Sequence, residues 1–332
     1  MWRNIRIIIL LLALAAVAYG SWYAKARAAS WTGTLRIAVY PINADQAPAT
    51  SAFVSALTSA SFRDIEDFIE REARRHGRDL TQPASVSLAP EVREHPPTPP
   101  HAGNVIQIAF WSLRLRYWAW RHDKYRGPKP HVRLFVIYHD PQRTQRVPHS
   151  LGLEKGMLGV VHAFASPRDN GSNNVVIAHE LLHTLGATDK YDFANNLPRF
   201  PDGYAEPERS PRYPQLKAEI MGGRIPIDDT RVEMPTGLAD VVTGARTAME
   251  INLAVKLNRT SPRCRRRISP AGPRRCRRIP GDFGRHQHLH IPGPQLGAHP
   301  VARLCRNRRP LPVGPLDGVH PARVRRTCAQ CP

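Results

Sequence analysis

Val175–Asp192 reads VVIAHELLHTLGATDKYD, and the reading of this stretch decides what the rest of the chain has to build. Its centre is His179-Glu180-Leu181-Leu182-His183. On a helix, positions four apart share a face, so both imidazoles can meet one metal ion. Glu180 is offset from that face and can hold a metal-bound water without taking a ligand position. Zinc with three protein ligands and an open position lowers the pKa of its water towards about 7. The glutamate can then take the proton during attack and pass it to a leaving amine. The apolar run VVIA before the motif, with Leu181, Leu182 and Leu185 around it, lets the helix pack into a core. That gives a metal site its rigid backing.

An H-E-x-x-H string arises by chance in roughly one per cent of chains this long. Gly186 and Asp189 at two further fixed spacings lower that chance by about two orders of magnitude. Gly186 has a physical task as well: with φ > 0 it stops the helix and turns the chain so that Asp189 comes back to the metal. Asp192, Glu206 and Glu219 compete with Asp189 for the third ligand position.

The run His179-Glu180-x-x-His183-x-x-Gly186-x-x-Asp189 resembles the metzincin zinc-binding signature. It is similar to the snapalysin-like branch, in which aspartate replaces the more usual third histidine. The resemblance spans about residues 130–257 and is strong over 175–192. It implies a metzincin-like zincin domain with a mixed sheet, an active-site helix and a two-lobed cleft. It also implies an edge strand that binds substrate and a methionine turn beneath the metal. On that resemblance Met221, in AEIMGG (218–223), is the turn methionine, and MLGVVHAFA (157–165) supplies the edge strand. A glutamate such as Glu219 as third ligand would instead give thermolysin-like geometry. Tyr191 is a candidate to lend its phenol to a transition-state oxyanion, with loop packing as its other reading; His162, in a strand, reads as structural.

Around this core the pattern predicts strands at Leu35–Ile42, Val132–Tyr138 and Met157–Ala165. It predicts an amphipathic helix over Ala52–His76, and helices over Asn104–Tyr125, Asn173–Leu185 and Leu238–Leu257. Ser172 or Asn173 is expected to cap the third of these four. Residues 83–102 are Pro-rich and read as loop, and 187–231 as ordered irregular chain. Strands and helices mix without regular strand–helix–strand units, which favours an α+β fold. In the aromatic, basic segment Phe110–Arg126, Ile106, Phe110, Leu113 and Tyr117 follow the spacing of a core-facing stripe. A second reading makes Trp111, Arg114, Trp118 and Arg121 a face that rests on lipid head groups.

The ends differ from the middle. Ile7 to Gly20 is an uninterrupted apolar run behind Arg3 and Arg6, followed by Trp22 and Tyr23. It approaches the roughly 20 residues that cross a bilayer, while small residues around 24–29 leave a cleaved signal peptide open. Residues 1–29 are therefore a signal anchor or signal peptide, 30–257 the metalloprotease-like domain, and 258–332 an Arg/Pro-rich tail. That tail holds 17 Arg against 2 Asp, hence +15 of the formal +21, and all five cysteines. A disordered basic tail and an altered reading frame from about residue 258 both account for it. The basic pI belongs to the tail, so no nucleic acid is expected for the folded body. A body without cysteine excludes a cysteine nucleophile or ligand and tolerates an oxidising compartment.

The expected function is zinc-dependent peptide-bond hydrolysis outside the cytoplasm. His179, His183 and Asp189 would be the ligands and Glu180 the general base and acid, acting on a peptide or protein substrate. The body would be membrane-anchored through its N-terminal segment, or secreted if that segment is cleaved. The alternative is a membrane-tethered metal-binding or assembly protein without turnover.

Overall fold

The structure is a computed structural model describing residues 2–100, 104–153 and 156–254. The tail 258–332, and with it every cysteine and both readings of that stretch, lies outside the described residues. In chain order the elements are α1 (Trp2–Ala28), β1 (Leu35–Asn43), α2 (Pro48–Ala56), a 3-10 turn (Ser59–Phe62), α3 (Arg63–Arg75), β2 (Ala84–Leu88), α4 (Val105–His122), β3 (Val132–His139), β4 (Leu151–Leu153), β5 (Leu158–Phe164) and α5 (Asn170–Leu185). Shorter pieces follow: β6 (Ala218–Glu219), β7 (Ile225–Pro226), β8 (Val232–Glu233), β9 (Val241–Val242) and α6 (Ala245–Glu250).

Five strands form a mixed sheet in the order β2-β1-β3-β5-β4. The first four run parallel and β4 alone runs antiparallel. Parallel strands need cover on both faces, and the alternation along β3 provides for it. Leu134, Val136 and Tyr138 join a core shared with α3 and α5, while Phe135 and Ile137 meet Leu115 and Trp118 of α4. The protein is a mixed α/β fold with a mixed sheet.

Several expectations are corrected in detail. The loop expected over 83–102 contains β2, paired in parallel with β1 from Leu35↔Ala84 to Val39↔Leu88. Strand β1, helices α2 and α3 and strand β2 thus make the strand–helix–strand unit that the sequence pattern hid. Six residues between Pro83 and Pro90, two of them serine, are too few to register a period. The helix expected over 52–76 is two helices, separated where Thr58 and Ser61 form a reciprocal capping box. The helix expected over 238–257 shrinks to α6. Val241 and Val242 pair with β6 instead, and the Gly244 amide is committed to buried Glu219 at 3.0 Å. Helix α5 begins at Asn170, and Asn173 does not cap it. Its amide exchanges two hydrogen bonds with the backbone of Phe164, at 2.8 and 3.0 Å, pinning the helix to the end of β5.

Helix α4 starts on a capping box between Asn104 and Gln107 and buries Leu115, Trp118 and Ala119. The stripe expected in the core is therefore on the outside: Ile106, Phe110, Leu113 and Tyr117 are exposed. Trp118 is buried and Trp111 half-buried, its indole donating to the Pro97 carbonyl at 2.8 Å, so neither belongs to a lipid-facing set with Arg114 and Arg121. Both stripes fit a 3.6-residue period; the sheet selects the one whose large rings fill the space over Phe135.

Helix α1 is 27 residues long, with Arg6, Lys25 and Arg27 among its residues. Among the described residues no helix is long and apolar enough to cross a membrane. The end of α1 docks on the body: Ala28, Ala29 and Trp31 are buried, and the Trp31 indole donates to the Ile251 carbonyl at 2.8 Å.

Candidate metal centre

Helix α5 packs through Val175, Ile177, Ala178, Leu181, Leu182 and Leu185, all in the main core. That burial fixes which face is left for His179, Glu180 and His183. At its end Gly186 takes φ 105°, a left-handed conformation that glycine adopts without a Cβ clash. The Ala187 amide then donates back to the Leu182 carbonyl at 3.0 Å, and the chain reverses.

The reversal brings Asp189 to the two histidines. Its Oδ1 lies 3.2 Å from His179 Nε2 and 3.1 Å from His183 Nε2, and the two Nε2 atoms are 3.1 Å apart. Three donors bound to one tetrahedral ion at ~2.0–2.1 Å would be separated by roughly 3.3–3.4 Å, close to this triangle. The outer nitrogens decide the chemistry. His179 Nδ1 faces the Ile220 carbonyl at 2.8 Å, and His183 Nδ1 faces the Ala187 carbonyl at 2.9 Å. A carbonyl only accepts, so both Nδ1 atoms carry the proton. In the neutral rings both Nε2 lone pairs then point at each other and at a carboxylate oxygen, an arrangement completed by a cation. The group could hold a metal ion.

Charge tells the same story. Burial alone would depress His179, but the Asp189 carboxylate, Glu180 and the Ile220 carbonyl outweigh it and hold its pKa above the ordinary value. Burial would raise Asp189, yet the two imidazoles outweigh it and keep that carboxyl well below the usual range. Burial pushes Glu180 up, Asp189 adds to the effect, and the two imidazoles oppose it.

Glu180 is buried, and its Oε2 has no hydrogen-bond partner among the described residues. A buried orphan carboxylate oxygen is costly, about 1–3 kcal/mol, unless something occupies its front. Glu180 also helps to line a cleft of about 380 Å³, together with His179, Tyr191, His162, Arg224 and Met234. Tyr191 is pushed up to about 12 by burial and by the charges of Asp189 and Glu180. Its ring centre is 6.4 Å from that of His179. His162 is bound to His139 at 2.9 Å and also lines the cleft.

The rival ligands have other partners. Glu219 is fully buried and accepts from Gly222 N, Gly244 N and Thr247 Oγ1 at 2.8, 3.0 and 2.7 Å, so it is a structural carboxylate. Asp192 accepts from the Ala194 amide in a turn, and Glu206 pairs with Arg209. Met221 is fully buried in the turn whose Ile220 carbonyl orients His179. Its own carbonyl accepts from the Lys190 amide at 2.9 Å, so one turn braces both ends of the ligand set.

Three supports were missed in the sequence. The first is the edge strand: β5 is interior, and among the described residues the edge is β4, which pairs only with β5. At its centre, a Cβ on Gly152 would sit 2.6 Å from the Glu180 carbonyl and 2.6 Å from His183 Cβ, so the strand lies directly across α5. Three residues carry no readable period. The second support is the clasp on the ligand loop. Buried Lys190 donates to Glu250 and to the Thr188 carbonyl at 2.8 and 2.7 Å, and the Thr188 amide donates to Glu250 at 3.0 Å. The third is the pair of backbone carbonyls that orient the imidazoles, which no side-chain pattern announces. No family model matches the chain, and no curated protein matches it either.

Proposed function

We propose that this protein is a zinc-dependent endopeptidase working outside the cytoplasm, with a metzincin-like arrangement of its site. One observation carries the reading: two imidazoles locked by carbonyls, a carboxylate oxygen closing the triangle, and buried Glu180 beside it among the residues that line a cleft. His179, His183 and Asp189 would hold the ion. Two nitrogens and one oxygen suit zinc, which when bound supplies a Lewis acid and makes water acidic enough to attack near neutral pH.

The chain's own residues do the rest. Glu180, kept protonatable by burial, takes the proton of the attacking water and returns it to the leaving amine. The free edge of β4 offers backbone groups along which an extended peptide can align. Tyr191, its ring centre 6.4 Å from that of His179, would donate to the oxyanion. Export rests on the apolar run of α1, where Ile5, Ile7, Ile8, Ile9, Leu11 and Leu12 are exposed.

Metal analysis of the purified full chain, then peptidase assays on the wild type and Glu180→Gln, tests this. One zinc per chain is expected, with activity lost to chelation and lowered about 10²–10⁴-fold by Glu180→Gln with zinc retained. Activity indifferent to both treatments rejects the proposal. Stoichiometric zinc with no hydrolysis across a broad peptide library favours the metal-binding or assembly role instead.

A further inference from the structure

A second cavity, of about 700 Å³, opens where α1 meets the body, at the N-terminal ends of β1, β3 and β5. Arg27, Arg36, Lys129 and Arg133 line it together with His131, and among the described residues no carboxylate does. Arg133 is neutralised by Asp123 at 2.7 Å, whereas Arg27 and Lys129 have no ion-pair partner among the described residues. Arg36 donates to the Lys129 carbonyl at 2.9 Å, which ties two of the cations into one unit. The remaining wall is apolar or aromatic, with Gly20, Tyr23 and Ala24 of α1 facing Met157. From that wall α1 continues into exposed isoleucines and leucines.

We propose that this cavity binds the phosphate of an anionic phospholipid, the head group held by Arg27, Arg36 and Lys129 and the acyl chains running along α1. Three cations with no carboxylate among the described lining residues attract an anion, and the adjoining apolar helix selects an amphiphile over a bare anion. His131 agrees: burial, then the charges of Arg36 and Arg27, hold its pKa below the ordinary value, so it stays neutral amid a positive field. Helix α4 lies beside one lining residue, since Arg116 Nε is 3.2 Å from the place a Cβ on Gly156 would take. Its outward Phe110, Leu113, Tyr117 and Trp120 offer more surface suited to a lipid interface. The inference is independent of the metal centre.

The test is native mass spectrometry of the full chain in mild detergent, titrated with phosphatidylglycerol, phosphatidylcholine or inorganic phosphate. One phosphatidylglycerol should bind, with phosphatidylcholine excluded. Removing two cations beside an anionic head group, in Arg27→Ala with Lys129→Ala, should weaken it on the order of 25-fold. Ala24→Trp, which fills the cavity and leaves the charge unchanged, should weaken it more than about tenfold. Arg63→Ala with Arg74→Ala removes equal charge from α3 and should change nothing, which separates the cavity from diffuse attraction to a basic chain. Undiminished phosphatidylglycerol binding by Ala24→Trp, or equal binding of phosphatidylcholine, overturns the proposal. Saturable inorganic phosphate without lipid binding assigns the cavity to a free anion and overturns it too.

Discussion

Gly152→Ala is the sharpest test of how the site is supported. The added methyl carbon would sit 2.6 Å from the Glu180 carbonyl and 2.6 Å from His183 Cβ, and 3.1 Å from Glu180 Oε2. Carbon contacts rest at about 3.5–4.0 Å, so something must move by roughly 1 Å. Helix α5 has its apolar face in the main core, whereas β4 is a three-residue edge strand held on one side. The strand yields, and Glu180 is crowded as it does. Overpacking of this kind costs about 1–3 kcal/mol. At ~2 kcal/mol the melting temperature of a body this size falls by about 4–8 °C. A 1 Å misplacement at the reacting groups costs on the order of 100-fold in rate. Calorimetry, metal content and kcat/KM on a peptide substrate read the three consequences separately. Gly159→Ala is the control: its methyl meets the far end of the Leu134 side chain at 2.6 Å, which can turn aside, and the cost should fall at the low end of that range. Full stability and full activity in Gly152→Ala would refute the picture of β4 pressed against the metal helix.

Asp189→Ala should lower zinc affinity by on the order of 100-fold or more while the fold persists, read by competition with a zinc chelator of known strength; unchanged affinity removes Asp189 from the ligand set. Glu250→Gln leaves buried Lys190 without its counter-charge and should cost about 1–3 kcal/mol in urea unfolding, less than a fully buried pair because Glu250 is partly exposed. Burial would raise the Glu250 carboxyl, but Lys190 and Thr188 outweigh it and hold it below 4.5. Its contribution is thus complete above about 4.5 and lost as the pH falls further, so Glu250→Gln should flatten the acid limb of the stability curve. His162 is lowered to about 4, by burial first and then by repulsion from His139 and His95. Between 6.5 and about 4 the unfolded chain takes up that proton and the folded one does not, so stability should fall with pH across this window. The drop should shrink in His162→Asn; an identical pH profile would show that His162 is not the group responsible.

The local spacing of His179, Glu180, His183, Gly186 and Asp189 made the His179–His183–Asp189 cluster legible, because helix periodicity and one glycine turn set most of its geometry. Elements with strong patterns, such as β3 and α5, were legible for the same reason. What escaped was set by the partner and not by the local chain. Strand β2 exists because β1 offers it a ladder, and β4 because β5 and α5 flank it. On α4 two stripes share one period, and only the neighbouring sheet chooses between them. The carbonyls of Ile220 and Ala187, which set the imidazole tautomers, belong to backbone and leave no trace in residue type.

The clasp on the ligand loop sets a practical boundary. Glu250 grips Thr188 and Lys190 on either side of Asp189, its neighbour Ile251 receives the Trp31 indole, and Leu253 accepts from Arg78 at 2.8 Å. Trimming that spares every ligand can therefore still disarm the protein. A shortened version that starts after Trp31, or stops before Leu253, should lose the close approach of His179, His183 and Asp189 long before it loses its helices.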